Sequence, residues 1–402
     1  MPDLTMERLA EPRVQTRYLT TLLLLWLAGV ALRLTILAVP PVIPLIHDGL
    51  KLNATQIGIL TGLPSMLFAF AAVPGSLLIA RLGVRSALVV GLSVTAVGGA
   101  LRGAIPDVAW LYAMTIIMGA GVAVMQVTMP PAVRAWLPQR IAFATAVYTN
   151  GLLVGEILPV ALMLPLVLPL VGNWQWGFVF WSVPVVVIAL LILTVAPAPA
   201  NGQVSAARRR WWPDWNSHLI WRLGIMLGTV NATYFATNAF LPDYLRGNGQ
   251  GAWISAALTG LNIGQVPASL LLLAFAHRLE RKAWPYVACG VLCVIATAGI
   301  VFGSAAWVVV AATVQGFANS AILILILALP PLLSDPDDVH RVTAAMFTIS
   351  YSCAVIVPVI SGFVWDVSGL ASVAFAPIAL CGIVLVALAP AINHVRPAEE
   401  SA

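Results

Sequence analysis

Two charged residues sit where charge is expensive. Arg33 lies inside LAGVALRLTILAVPPVIPLI, residues 27–46, and Glu156 inside GLLVGEILPVALMLPLVLPL, residues 151–170. Arg33 is 16 residues past Arg17 and 14 before His47, and Glu156 is 16 past Arg140 and 16 before Gly172. If those polar residues mark the ends of membrane spans, both charges fall near mid-membrane. A charge there costs ~2.5–3.5 kcal/mol even on the mildest insertion scale. It persists when it faces a partner, a water-filled cavity or a ligand. A guanidinium offers a rigid fork of N–H donors that suits small planar oxyanions. Facing a cavity, Arg33 would bind an anionic or strongly polar small molecule. Glu156 would then be its counter-charge in the empty state, or a protonation site, because desolvation disfavours the ionised carboxyl. The plainer reading is a structural pair that ties two helices together, and both readings can hold at once.

Other polar groups recur at the same depth. The seventh apolar segment carries Asn231, Thr233, Tyr234, Thr237 and Asn238; others are Gln126, Tyr148, Asn150, Asn262, Gln265, Gln315, Asn319 and Tyr351. A lone Asn or Gln at such a place more often bonds a neighbouring helix than a ligand. Tyr234 and Asn238 are four apart and share a helix face. The residues expected to line the cavity with Arg33 are Gln126, Tyr148, Asn150, Tyr234, Asn238, Asn262 and Asn319. The four cysteines, Cys289, Cys293, Cys353 and Cys381, lie in apolar segments without metal-ligand spacing and read as small buried hydrophobes. No glycine-rich phosphate loop is found. No cofactor, metal, enzymatic activity or ATP-driven step is therefore expected.

The elements that position these residues follow from composition. Of 402 residues, 61% are hydrophobic and 9% charged, against about 25% charged in soluble domains. Apolar segments at about 18–46, 54–80, 84–103, 107–133, 140–170 and 175–197 are followed, after a polar stretch, by six more at about 219–245, 252–276, 283–303, 305–333, 341–365 and 370–393. Each is long enough to cross a ~30 Å hydrocarbon core. The expectation is an all-α membrane protein of twelve transmembrane helices in two six-helix halves. They comprise residues 1–197, a cytoplasmic linker at 198–218, and residues 219–402. Alternate connections hold 16 of the 20 Lys and Arg, among them Arg81, Arg85, Arg208, Arg209, Arg210 and Arg341; the other side has Lys51, Arg102 and Arg246. The positive-inside rule then places both termini in the cytoplasm of a multi-pass protein in the cell (inner) membrane. The net charge of +5 belongs to those loops and implies no nucleic-acid partner. The partners expected are the lipid bilayer, a small anionic substrate and coupling protons, with the chain acting as a monomer.

The halves repeat. LTGL at 60–63 recurs at 258–261, Arg81 matches Arg278, Gly119 matches Gly316, Pro130-Pro131 matches Pro330-Pro331, and Arg140 matches Arg341, at offsets of 197–201. Two parallel six-helix repeats with a site between them resemble the major facilitator transporters. The loop signature of that superfamily is partly kept in SLLIARLGVR, with Arg81, Gly83 and Arg85 present, Ala80 in place of its aspartate and Ser76 in place of its first glycine. Finer motifs resemble the cyanate and 2-nitroimidazole transporter family. They are Leu32-Arg33 with Pro41 and Pro44 following, then Gln126-Val127 with Pro130, Arg134 and Pro138, and Phe240-Leu241-Pro242. Ala31, Leu34, Gln126 and Phe240 depart from that family's Asn, Pro, Asn and Trp, and the changes at Ala31 and Gln126 would alter the pocket's size. The resemblance implies a secondary active transporter carrying a small anion or small polar nitrogen compound by alternating access. An efflux pump for a polar drug-like compound led by Glu156, and a ligand sensor or passive channel on the same scaffold, are the alternatives.

Overall fold

A proline lacks the amide N–H and its ring collides with the carbonyl four residues back, so a helix cannot run through it undisturbed. Pro40, Pro41 and Pro44 accordingly end α1 (Pro12–Leu37), impose a 3-10 turn at Pro40–Val42 and open α2 (Ile43–Leu50), which together make the first span. The computed structural model describes residues 12–70, 72–137, 140–197, 214–279, 282–333 and 339–390. Most of the expected linker 198–218 lies outside the described residues, as do Arg8, Arg208, Arg209, Arg210, Arg281, Arg396 and Pro138.

The second span is α3 (Ala54–Phe70) and the start of α4 (Ala72–Leu101), and a break at Gly83, with φ 76°, turns the chain into the third. The fourth is α5 (Val108–Trp136). The fifth is α6 (Ile141–Leu162), carried on through a π-turn at Met163–Val167 into α7 (Leu168–Val171), and the sixth is α8 (Trp174–Val195). The second half runs α9 (His218–Gly247), α10 (Ile254–Ile263) with α11 (Gln265–Leu279), α12 (Ala283–Phe302), α13 (Ala306–Leu333), α14 (Val339–Ser368) and α15 (Ala376–Leu388). Ten of the described segments are long and apolar enough to cross a membrane, and Ala54–Phe68 is a shorter apolar helix. The seventh span, α9, is 30 residues long but dilutes its apolar run with Thr233, Thr237, Asn238 and Asp243, all buried. The eighth span is interrupted for a single residue at Gly264, whose backbone stays right-handed helical, and Gly251–Leu272 remains one span. The ring of Pro267 disallows the hydrogen bond back to Ile263, and α10 ends there.

Two close approaches hold the frame. A Cβ on Gly151 would lie 2.2 Å from the Trp26 carbonyl oxygen, and one on Gly155 would lie 2.2 Å from that of Val30, so α1 and α6 touch backbone to backbone. Across the halves, Gly58 and Gly362 meet the carbonyls of Pro358 and Ala54 in the same way, which brings α3 against α14. Small residues favour such contacts in lipid, where helices gain no hydrophobic energy by burying apolar surface against one another and close packing must drive association.

One continuous apolar core takes in the first half together with the far ends of the second, including Ala239, Leu245, Leu258 and Phe375. A separate core, with Leu227, Ile322 and Met346, fills the second half nearer the termini. The halves are therefore fused at the end opposite the chain termini. Large apolar side chains such as Val183, Leu190, Ile295 and Leu380 point outward, the surface that hydrocarbon covers.

Candidate functional site

Because Gly151 and Gly155 seat α6 directly on α1, the residue after Gly155 comes level with Arg33. Arg33 Nε donates to Glu156 Oε1 at 3.1 Å, with only 12% and 7% of the two side chains accessible. The second carboxylate oxygen accepts from Gln265 Nε2 at 3.0 Å, a bond from the first half to the second. Gln265 Nε2 also lies 3.4 Å from Asn262 Oδ1, which accepts the Tyr234 hydroxyl at 2.7 Å. A polar chain thus runs Arg33–Glu156–Gln265–Asn262–Tyr234 through the centre of the molecule. Asn262 and Gln265 are three apart and so share one face of the eighth span.

Aromatic rings form the other wall. The Arg33 guanidinium carbon lies 5.7 Å from the Phe68 ring centre. Phe68 meets Tyr351 edge-on at 5.3 Å, and Tyr351 stacks on Phe347 at 5.9 Å. Arg33 Nη1 is buried without a hydrogen-bond partner. A buried guanidinium nitrogen left open costs desolvation energy, and an anionic or electron-rich ligand atom is what would satisfy it.

The cluster brings together four of the candidates read from sequence, Arg33, Glu156, Tyr234 and Asn262. Asn238 is one turn away on α9, its Nδ2 donating to the Tyr234 carbonyl at 2.9 Å. Tyr148 is half-buried on α6, and Gln126 on α5 has a buried Oε1 without a partner. Asn150 is exposed and accepts from Trp26 Nε1 at 2.9 Å, on a different face from Glu156. Asn319 is buried within the second half, 3.4 Å from Cys293 Sγ. Gln265 was legible as a polar residue three positions from Asn262. Phe68 was not, since nothing distinguishes it from a lipid-facing aromatic. Arg102, counted with the basic residues of a connection, is instead 1% exposed.

The fused end carries its own polar contacts between the halves. His47 Nδ1 is 2.7 Å from Asp243 Oδ2. Arg246 pairs with Asp48 and donates to the Pro44 carbonyl at 2.7 Å. Asp366 of α14 accepts the backbone N–H groups of Ala54 at 2.9 Å and Thr55 at 2.8 Å, capping α3 from the other half. Ser255 reaches the Val160 and Ala161 carbonyls at 3.1 Å.

Comparison with known proteins agrees with this architecture. The chain is 26% identical over 374 residues to the cyanate transport protein CynX of Escherichia coli (strain K12), covering 91% of this chain and 96% of that protein. It is 24% identical over 357 residues to the 2-nitroimidazole transporter of the same organism, covering 88% and 90%. Among solved structures, a D-xylose-proton symporter superposes with a TM-score of 0.75 at 12% identity, over 94% of this chain and 98% of that one. The family model described as Major Facilitator Superfamily matches residues 25–258. Two repeated six-helix halves, a polar chain joining them at mid-depth and that match together make this chain a transporter belonging to the Major Facilitator Superfamily.

Proposed function

We propose that this transporter moves a small anion or small polar nitrogen compound, with Arg33 as the residue that holds it. The observation that carries the reading is the buried Nη1 of Arg33, which has no partner while Nε of the same guanidinium is held by Glu156. An anion on Nη1 competes with Glu156 for the positive charge. Glu156 in turn bonds Gln265 of the other half. Occupancy of Arg33 therefore weakens or strengthens a bond between the halves, which is what alternating access requires. The named cargoes of the two relatives, cyanate and 2-nitroimidazole, are both small nitrogen compounds, and the first is an anion. Phe68, Phe347 and Tyr351 favour a flat cargo of the second kind, its nitro oxygens toward Arg33 and its ring against theirs.

The remaining assignments rest on the same reading. Glu156 is the candidate for a coupling proton, since protonation would release Arg33 for cargo. The positive-inside rule puts both termini in the cytoplasm of the cell membrane, so the fused end faces outward and the state described is the one that exchanges cargo with the cytoplasm. The chain works as a monomer with its site at its own centre.

Uptake of labelled cyanate, and separately of 2-nitroimidazole, into proteoliposomes tests the proposal. Saturable uptake of at least one, lost in Arg33→Ala at equal incorporation, is the expected result. Near-normal uptake by Arg33→Ala would remove Arg33 from the binding role.

A further inference from the structure

A second buried arginine has no carboxylate. Arg102, just past the end of α4, donates from Nη2 to the Thr35 carbonyl at 2.6 Å and from Nε to the Gly99 carbonyl at 3.4 Å. Its guanidinium carbon lies 4.2 Å over the Phe178 ring. Its Nη1 is buried with no partner. The ion pairs among the described residues are Arg33–Glu156, His47–Asp243 and Arg246–Asp48, so this cation is uncompensated. Two carbonyl dipoles and a ring face offset only part of the cost of burying a full charge.

Arg102 also lines a narrow cavity with Leu37, Thr61, Thr115, Tyr234 and Asn238. Leu37 is four residues past Arg33 on α1, so the cavity lies one helical turn nearer the fused end, on the same face. Tyr234 stands between this cavity and the Arg33 cluster. Asn238 is 3% exposed and its Oδ1 has no partner either. Arg102, Leu37, Thr61 and Thr115 belong to the first half, whereas Tyr234 and Asn238 belong to the second. In the fused state the space holds about one water molecule. Parting the halves at that end withdraws two of its walls and uncovers Nη1.

We propose that Arg102 is a second anion-binding residue. It is a station for a small monovalent anion between the fused end and Arg33, occupied when the halves part at that end. The anion sits on Nη1, and water entering from the parted end completes its hydration shell. The occupant is either the transported anion in passage or a resident inorganic anion such as chloride; the shared chemistry is a compact single negative charge. Only the identity of the cargo rests on the functional reading above, because the test is run without Arg33.

The test uses the full chain, purified in detergent, carrying Arg33→Gln and Glu156→Gln to remove the central pair without leaving a lone charge. Sodium cyanate and sodium chloride are titrated against sodium gluconate at constant ionic strength, and Tm is read. The expected result is a saturable rise in Tm with at least one of the small anions. Adding Arg102→Gln should raise the half-saturating concentration by about tenfold or more, the loss of a charged hydrogen bond. A rise with cyanate alone identifies the station as part of the cargo's path; a rise with chloride as well identifies a resident inorganic anion. Where Arg102→Gln does not fold, Thr115→Leu fills the cavity from the first half, which stays with Arg102 when the halves part, while leaving the Thr35, Gly99 and Phe178 contacts of Arg102 in place, and it should abolish the rise. No saturable rise with either anion, or an unchanged rise in the variant that folds, overturns the proposal, whatever cyanate uptake shows for Arg33.

Discussion

Arg33 gives Nε to Glu156 and keeps Nη1 without a partner, so geometry as well as charge is at stake in replacing it. Arg33→Lys keeps the cation but gives up the planar fork that engages the carboxylate and a ligand together. Uptake at equal expression is expected to fall about tenfold or more, and a lysine variant equal to the native protein would show that charge alone suffices. Glu156 answers to two partners, Arg33 and Gln265. Breaking a buried pair by removing one member costs about 3–5 kcal/mol. Glu156→Gln keeps the Gln265 contact geometry but leaves Arg33 without its counter-charge. The expected outcome is a lower Tm with tighter binding of an anionic cargo. Uptake with and without a pH gradient decides the other possibility: exchange that survives while gradient-driven accumulation disappears would assign the coupling proton to Glu156.

At the level of elements, what holds Arg33 opposite Glu156 is the absence of side chains at Gly151 and Gly155. A Cβ at Gly155 falls 2.2 Å from a backbone oxygen that no rotamer change can move. Gly155→Leu must push α6 off α1, with a cost at or above the ~1–3 kcal/mol typical of overpacking. A fall in Tm together with loss of uptake is expected. Gly251→Ala, where an added Cβ meets nothing within 4 Å, is the control that should leave both unchanged. The α3–α14 contact behaves differently because it must come apart in each transport cycle. Its cap from Asp366 to the start of α3 is polar and at the rim, where water can take over the bonds.

The molecule as a whole is caught fused at one end. Thr55 and Asp366 face each other across the halves there. The double variant Thr55→Cys and Asp366→Cys is expected to form a disulfide under oxidation, to stop transport when oxidised and to recover with reductant. Undiminished transport by the fully oxidised protein would mean that this end need not open. Which side of the membrane it faces is a separate question. Asn248 and Asn216 are exposed at opposite ends of α9. In intact cells an impermeant thiol reagent should label Asn248→Cys, and should label Asn216→Cys only after permeabilisation; the reverse pattern would invert the topology.

Much of this was legible in one dimension, and the reason is the bilayer. Hydrocarbon forbids unsatisfied backbone, so each long apolar run must be a helix, and the distance of Arg33 and Glu156 from the ends of their runs sets their depth. Depth, the twelve spans and the repeat all follow from the chain. Azimuth does not. Asn150 and Glu156 are six apart on α6, yet one faces Trp26 at the surface and the other the centre. Asn319 looked like its counterparts and turned into its own half, toward Cys293. Gln265 met Glu156 because helical phase turned that face of the eighth span toward the first half, and Arg102 went from a connection to the interior because Phe178 and the Thr35 carbonyl were there to receive it. Sequence alone determined how deep each group lies, since the solvent imposes that on any helix. Tertiary structure decided which groups touch, since helical phase, kinks and glycine contacts act only once helices pack.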